Sequence, residues 1–250
     1  MSHFPFIFTI VAVHRGAGRI RGRCQRSCCR RDWRRTWLFY SSLFHRCAYP
    51  PRRDPARVRS RVARERDLQW GFLDKAIALC ESMPKPVIAA ISGTALAGGF
   101  EFALSYDLRI AEDGDYLIGF LEPHLGLVSG AGGTQRLPRT IGTPAALMHI
   151  LMGDPLTPRE AERKGLVHET VNGKALDRAM KIAQRLSSYA PESVAYIKRL
   201  VRNATETPLA HGLALERNLF LKLCVSESAL AHMRSYEGKK ITSPSRGFEV

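Results

Sequence analysis

Lys85–Arg136, KPVIAAISGTALAGGFEFALSYDLRIAEDGDYLIGFLEPHLGLVSGAGGTQR, is the stretch on which the fold of this chain turns. Val87–Ile91 is a continuous apolar run, best read as a buried strand. Gly93 breaks it, and Gly98-Gly99 open a helix that runs to about Tyr106. Leu108–Ala111 and Tyr116–Ile118 read as short strands around the acidic turn Glu112-Asp113-Gly114-Asp115. Gly130-Ala131-Gly132-Gly133 then opens another helix, ended near Gly142. The first part thus reads strand, glycine-rich turn and helix, and the second half repeats the idea with another glycine-rich turn opening another helix.

The same stretch carries the candidate chemistry. At Gly98-Gly99 the backbone can approach a ligand with no Cβ in the way. A helix start also leaves N–H groups unpaired, with the positive end of the dipole behind them. Such a place suits developing negative charge, although a tight strand-to-helix turn would use the same glycines for packing alone. Glu101 lies three residues beyond Gly98, near the helix start. Glu122 follows the run Tyr116–Leu121 and precedes Pro123, which restricts the backbone before it. Two carboxylates converging on one pocket repel each other, which raises the proton affinity of one and divides them into a proton donor and a proton acceptor. Spacing alone leaves their convergence open.

Upstream, Phe4–Val13 is a short apolar run that reads as a strand ending at Val13. It is too short to span a membrane, and it lacks the basic flank and cleavage signal of a secretory leader. Residues 1–66 hold 17 Arg, no Lys and three acids, a net +14, against +15 for the whole 250-residue chain. The charge that would suggest nucleic acid is therefore confined to one terminal segment, and aromatics among its charges, such as Trp33, Trp37 and Tyr40, are few, which is thin support for stacking on bases. That segment shows no sustained period and reads as a disordered basic arm, with RNA or DNA binding as its functional alternative. An Arg-rich, acid-poor start also fits a mitochondrial transit peptide, the alternative to a cytoplasmic location. Cys24, Cys28, Cys29 and Cys47 lie in the arm without a paired Cys-x-x-Cys spacing, so no metal site is expected. Cys80 and Cys224 read as buried apolar thiols.

Globular patterning begins near Leu68, where Leu68, Phe72, Ile77 and Cys80 fall on a helical spacing that ends at Pro84. Beyond Gly142 the chain is mostly helical. Thr157-Pro158-Arg159-Glu160 is a capping box with Gly165 as a stop, and Leu166–Val171 is a brief strand. Leu176, Ala179, Ile182, Ala183 and Leu186 form one face of a helix. Further helices follow Pro191, Thr207-Pro208 and Ser226, and Met148, Met152 and Met180 read as core packing. The chain thus divides into an aberrant arm at 1–66, an α/β core at 67–170 and a helical region at 171–250.

KPVIAAISGTALAGGFEFALSYDLRIA, LGLVSGAGGTQRLPRTIG and LMGDPLTPREAERKGLVHETV together resemble the crotonase family, the enoyl-CoA hydratases and isomerases. The resemblance covers about Leu68 to Tyr236. It implies a β-β-α spiral core and a C-terminal helical region that mediates homotrimers, often stacked as hexamers. It implies an acyl-CoA thioester substrate, with coenzyme A as part of the substrate and no further cofactor. Gly98 matches one of two backbone N–H donors to the thioester oxygen. Ala97, Gly99, Leu121 and Gly130 match substrate-contacting positions. Glu101 and Glu122 match the two glutamates that add water across a 2-enoyl double bond, the first activating water and the second protonating Cα. Isomerases usually keep an acid only at the later position, so the pair favours a hydratase of fatty-acid or related acyl-CoA catabolism. An isomerase, a branched-acyl-CoA hydratase, an RNA-binding relative and a catalytically impaired subunit are the alternatives.

The chain departs from the family in two places. Leu121-Glu122-Pro123 stands where Pro-Glu is usual, and the two glutamates are about one residue further apart, while Gly126 keeps its place. More seriously, Gly16-Ala17-Gly18-Arg19 is followed by IRGRCQ instead of the motif that supplies the first oxyanion donor. Losing one such donor costs roughly 10²–10³ in rate. We hypothesise a reading-frame offset beginning near Arg19 and corrected before Leu68. Arg19–Gln25 can be encoded, by one choice of synonymous codons, as CGC ATT CGC GGC CGG TGC CAA; with a following C and read one base along, that choice gives Ala-Phe-Ala-Ala-Gly-Ala-Asn, the missing motif. Out-of-frame reading of GC-rich DNA also accounts for many Arg, several Cys and no Lys. Sequencing the gene across these codons should reveal that motif one base away, and its absence there would sink the idea.

Overall fold

The structure is a computed structural model and describes residues 10–14 and 71–237. The rest of the Arg-rich arm, including the IRGRCQ segment and its four cysteines, lies outside the described residues, as does Leu68. In chain order the elements begin with β1 (Ile10–His14), α1 (Gly71–Ser82), β2 (Ile88–Ser92), β3 (Ala95–Leu96) and α2 (Gly98–Leu104). Next come β4 (Leu108–Glu112), β5 (Ile118–Gly119) and a 3-10 turn, η1 (Glu122–Leu125). They continue with α3 (Gly133–Ile141), α4 (Thr143–Met152), α5 (Pro158–Arg163) and β6 (Glu169–Val171). The chain closes with α6 (Ala175–Ser187), α7 (Pro191–Asn203), α8 (Leu209–Cys224) and α9 (Glu227–Tyr236).

Four strands form one parallel sheet in the order β1-β2-β4-β6. The Ile10–His14 strand agrees with the apolar run read from the sequence, one residue longer at its end, and pairs Ile10 with Ile88. Parallel strands are covered on both faces, which is why β2 is almost wholly apolar and fully buried at Ile88–Ile91. Asp107 fixes where β2 begins, its Oδ2 accepting the Val87 N–H at 2.7 Å. Between β4 and β6 the buried Arg109 donates from Nε to the Leu166 carbonyl at 2.7 Å. The Arg109 N–H donates to Nδ1 of His168 at 3.1 Å. Burial, and then the nearby Arg109 charge, lowers the His168 pKa to about 4, so the ring stays a neutral acceptor.

The second sheet has only β3 and β5, again parallel, with Ala95 opposite Ile118 and Leu96 opposite Gly119. Leu156 is tied to Ile118 by a reciprocal pair of backbone hydrogen bonds, both 2.8 Å. The core wraps this small sheet and β2, with Val87, Ile91, Phe100, Ile118, Phe120, Leu137 and Leu166 all buried.

Several sequence readings shift. α2 stops at Leu104, two residues early, because Ser105 and Tyr106 close it through hydrogen bonds to Phe102 and Ala103. Met148 and Met152 are more than half exposed on α4, and Met180 is exposed as well, so none of the three is core. Leu176 is also exposed, and the buried face of α6 is Ala175, Ala179, Ile182 and Ala183. Cys80 is buried, but Cys224 is only half-buried. The capping box is present as read, with Glu160 Oε2 accepting the Thr157 N–H at 2.9 Å.

The chain forms two compact units that divide between Arg185 and Leu186, inside α6. In the second unit Lys222 of α8 lies 5.9 Å from the centre of the Tyr196 ring of α7, a cation–π contact. Ser226 caps α9 by accepting the Ala229 N–H at 3.2 Å. Among the described residues, no helix is long and apolar enough to cross a membrane. Thr157→Ala removes the side-chain half of the α5 capping box and should cost about 1 kcal/mol, read as a lowered midpoint in urea unfolding at unchanged slope.

Candidate active site

The pairing of β3 with β5 decides where the two carboxylates go. The strands are parallel and in register, so both chains leave the sheet at the same edge. β3 passes through Ala97 into α2, which carries Glu101, while β5 passes through Phe120 and Leu121 into η1, which carries Glu122. Phe100 and Phe120 meet edge to face beneath them, ring centres 5.3 Å apart. Two residues separated by twenty others thus leave the small sheet at the same end, and the Glu122 charge is felt at Glu101.

The turn into α2 is strained. Ala97 is a non-glycine residue at φ 51°, in a region that costs L-residues energy. It is held there by burial and by its N–H, which donates to Gly119 O at 2.9 Å. The bend opens α2 with Gly98 buried and Gly99 partly exposed; a Cβ placed on Gly99 would meet nothing within 4 Å. Within α2 the Phe100 and Glu101 N–H groups close back on Ala97 O, and Gly98 is the first residue of the helix, where N–H groups lack intrahelical acceptors.

Glu101 is 1% exposed. Its Oε1 accepts the N–H of Ala131 at 2.8 Å and that of Gly133 at 2.7 Å. Gly133 is the first residue of α3, whose N-cap Gly132 (φ 95°) has no side chain to cap it. Glu101 therefore supplies the missing cap from another helix, where the dipole favours a negative charge. The same glycine-rich turn that suggested a ligand cradle directs these N–H groups at a protein carboxylate. Gly130, exposed in that turn, contributes through its N–H as well. Gly133 must be glycine, since a Cβ there would lie 2.5 Å from Phe120 Cε1 and 3.1 Å from Glu101 Oε1.

Burial raises the Glu101 pKa above its ordinary value; the Gly133 and Ala131 N–H groups pull it down, and the Glu122 charge pushes it up. Desolvation leads this shift, and repulsion from Glu122, the cause expected of two converging carboxylates, contributes less. Glu122 is buried, with Oε2 accepting the Leu121 N–H at 2.9 Å. Gly126 closes η1 at φ 67°, donating to Pro123 O, and Leu127 N–H returns to Glu122 O. His124 fastens the turn to the end of α4, Nε2 lying 3.2 Å from Gly153 O. Leu121, half-buried, is the N-cap of η1.

Three features escaped the sequence reading. Ala131 was quoted only as part of a motif, yet its N–H is a ligand of Glu101. Ser129, next to Gly130, is buried with an Oγ that has no hydrogen-bond partner. Arg136 and Glu81 form a fork-to-fork ion pair at 2.6 and 2.9 Å beside the turn. Among the described residues no group of three or more His, Cys, Asp or Glu is placed to hold a metal ion.

Residues 56–242 match the family model for enoyl-CoA hydratase/isomerase. YngF of Bacillus subtilis (strain 168), assigned to the enoyl-CoA hydratase/isomerases, is 38% identical over 170 residues, which are 68% of this chain and 65% of that protein. The 2,3-dehydroadipyl-CoA hydratase of Escherichia coli (strain K12) is 36% identical over 151 residues, 60% of this chain and 59% of that one. A crystal structure of enoyl-CoA hydratase subunit I from Geobacillus kaustophilus HTA426 superposes with a TM-score of 0.62 at 35% identity, covering 74% of this chain and 68% of that chain. This protein belongs to the enoyl-CoA hydratase/isomerase family and has its crotonase-like α/β fold with C-terminal helices. Its matched part spans between about half and two-thirds of the length of the curated relatives.

Glu101→Gln keeps an Oε1 to accept both N–H groups but removes the buried charge. A carboxyl whose folded pKa is raised binds protons more readily when folded, so native stability rises as pH falls from above that pKa toward the unfolded value near 4.5. The variant should lose that rise and, at neutral pH, melt no lower than the parent, as thermal unfolding across pH 4–8 would record.

Proposed function

We propose that this protein binds acyl-CoA thioesters and hydrates a 2-enoyl-CoA. The observation that carries the reading is the meeting of two buried glutamates at one sheet edge, one of them anchored by helix-start N–H groups. In the reaction the water oxygen bonds to Cβ while Glu101, ionised, takes a water proton. The electron pair of the double bond moves onto the thioester oxygen, which lies at the Gly98 N–H. Glu122 delivers a proton to Cα as the carbonyl re-forms. Burial raises the proton affinity of Glu101 above that of an exposed carboxylate, which suits a group that takes a proton from water. Ala97, Gly99, Leu121 and Gly130 border the thioester and its acyl chain.

The two-glutamate couple favours a hydratase over an isomerase, which needs only the later acid. IRGRCQ stands where the resemblance implies the motif of the first oxyanion donor, so turnover below that of an intact hydratase is expected. The assembly we infer is a homotrimer or hexamer, with subunits covering exposed apolar side chains such as Leu147, Met148, Leu151 and Met152. We place the protein in the cytoplasm, with the mitochondrial matrix as the alternative.

Loss of absorbance at the enoyl thioester band of crotonyl-CoA tests the reaction. Glu101→Gln and Glu122→Gln should each lower the rate by 10²-fold or more. Activity retained in both would refute these roles. No turnover by the parent chain, with acyl-CoA binding intact, would instead mark an impaired family member.

A further inference from the structure

The Gly130–Gly133 turn presents three successive peptide groups, the outer two anchoring Glu101 and the middle one held by Arg136. The outer two, through the Ala131 and Gly133 N–H groups, point at Glu101 Oε1 at 2.8 and 2.7 Å. The middle one offers its carbonyl, Ala131 O, to Arg136, whose Nη1 donates to it at 2.9 Å. The remaining faces of that guanidinium are fixed by Glu81 of α1, with Nε to Oε1 at 2.6 Å and Nη2 to Oε2 at 2.9 Å. Arg136 is itself braced, its backbone N–H donating to Gly132 O at 2.8 Å. The guanidinium also packs directly against Gly132, where an added Cβ would collide with Nη1.

We propose that Arg136, held by Glu81, is a positioning residue for Glu101: by fixing the Ala131 carbonyl it sets the directions of the two N–H groups that anchor the carboxylate. The reading of Glu101 as the proton acceptor comes from the proposed function; the positioning itself is a property of the fold. A planar fork suits this place, because its donors lie in fixed directions that meet a carboxylate with two and a carbonyl with a third. An ammonium is a point charge on a flexible stem and does not reproduce that fixed geometry. Freed from the clamp, the middle peptide can rotate, and both N–H groups then leave Glu101 together.

The titration of Glu101 reports on this directly, since those N–H groups hold its proton affinity down against burial and against Glu122, the titratable group facing it from η1. Two variants separate positioning from plain charge. Arg136→Lys keeps the positive charge but loses the fork. Glu81→Gln removes a negative charge, which by electrostatics alone would lower the Glu101 midpoint. Loss of positioning raises it in both. The measurement is a carbon-13 carboxyl titration of the full-length protein, with Glu101→Gln assigning the resonance and circular dichroism confirming that each variant is folded. An upward shift of roughly half a pH unit or more is expected in each variant. The low-pH limb of kcat for crotonyl-CoA should move the same way, with KM within about twofold of the parent. Unchanged Arg136→Lys together with a downward shift in Glu81→Gln would overturn the proposal. A parent chain that shows the shifts but no hydration would leave the positioning intact and remove the hydratase reading; hydration without the shifts would do the reverse. If Arg136→Lys fails to fold, Glu81→Gln decides by the sign of its shift.

Discussion

One carboxylate is shared between two helices, and the central part of the molecule is arranged around that fact. Glu101 grows from α2 but serves as the cap of α3. A seven-residue helix is too short to persist on its own, and α3 has no capping side chain at Gly132. Each element needs the other, and the contact between them is a charge-assisted pair of hydrogen bonds. The penalty for burying an ion is offset only where such donors are already in place. The strained Ala97, the close approach of Gly133 to Phe120 and the ion pair of Arg136 all bear on keeping those donors in place.

Much of this was legible in the chain. The apolar run at β2, the glycine pairs that open α2 and α3, and the capping box at Thr157 each have a local cause, so local patterns reveal them. The strand at Ile10–His14 was legible for the same reason. What was not legible depended on contacts between distant residues. Nothing near Gly130 indicates that its turn faces Glu101. Nothing near Arg136 indicates a partner at Glu81, 55 residues away. Ala97 was hidden for another reason: positive φ is announced by glycine, and here alanine takes it because burial and the Gly119 carbonyl over-determine the bend.

The methionines of α4 misled for an instructive reason. An apolar side chain among helices signals packing, and on α4 Leu147, Met148, Leu151 and Met152 are all exposed apolar side chains. The sequence does not say whether they look inward. The single chain leaves them exposed, as an apolar surface that suits contact with other molecules.

The register of β3 against β5 has a consequence for how such a chain can change. The distance between Glu101 and Glu122 is set by Ala95 lying opposite Ile118, not by the number of residues that connect them. Insertions or deletions in the turn between β4 and β5 are thus nearly silent for the chemistry, which is how the family's usual spacing can be exceeded by one. A slip of a single residue between the two short strands is a different event. It would turn Phe120 and the root of η1 to the opposite face, and neither a longer nor a shorter loop could undo it.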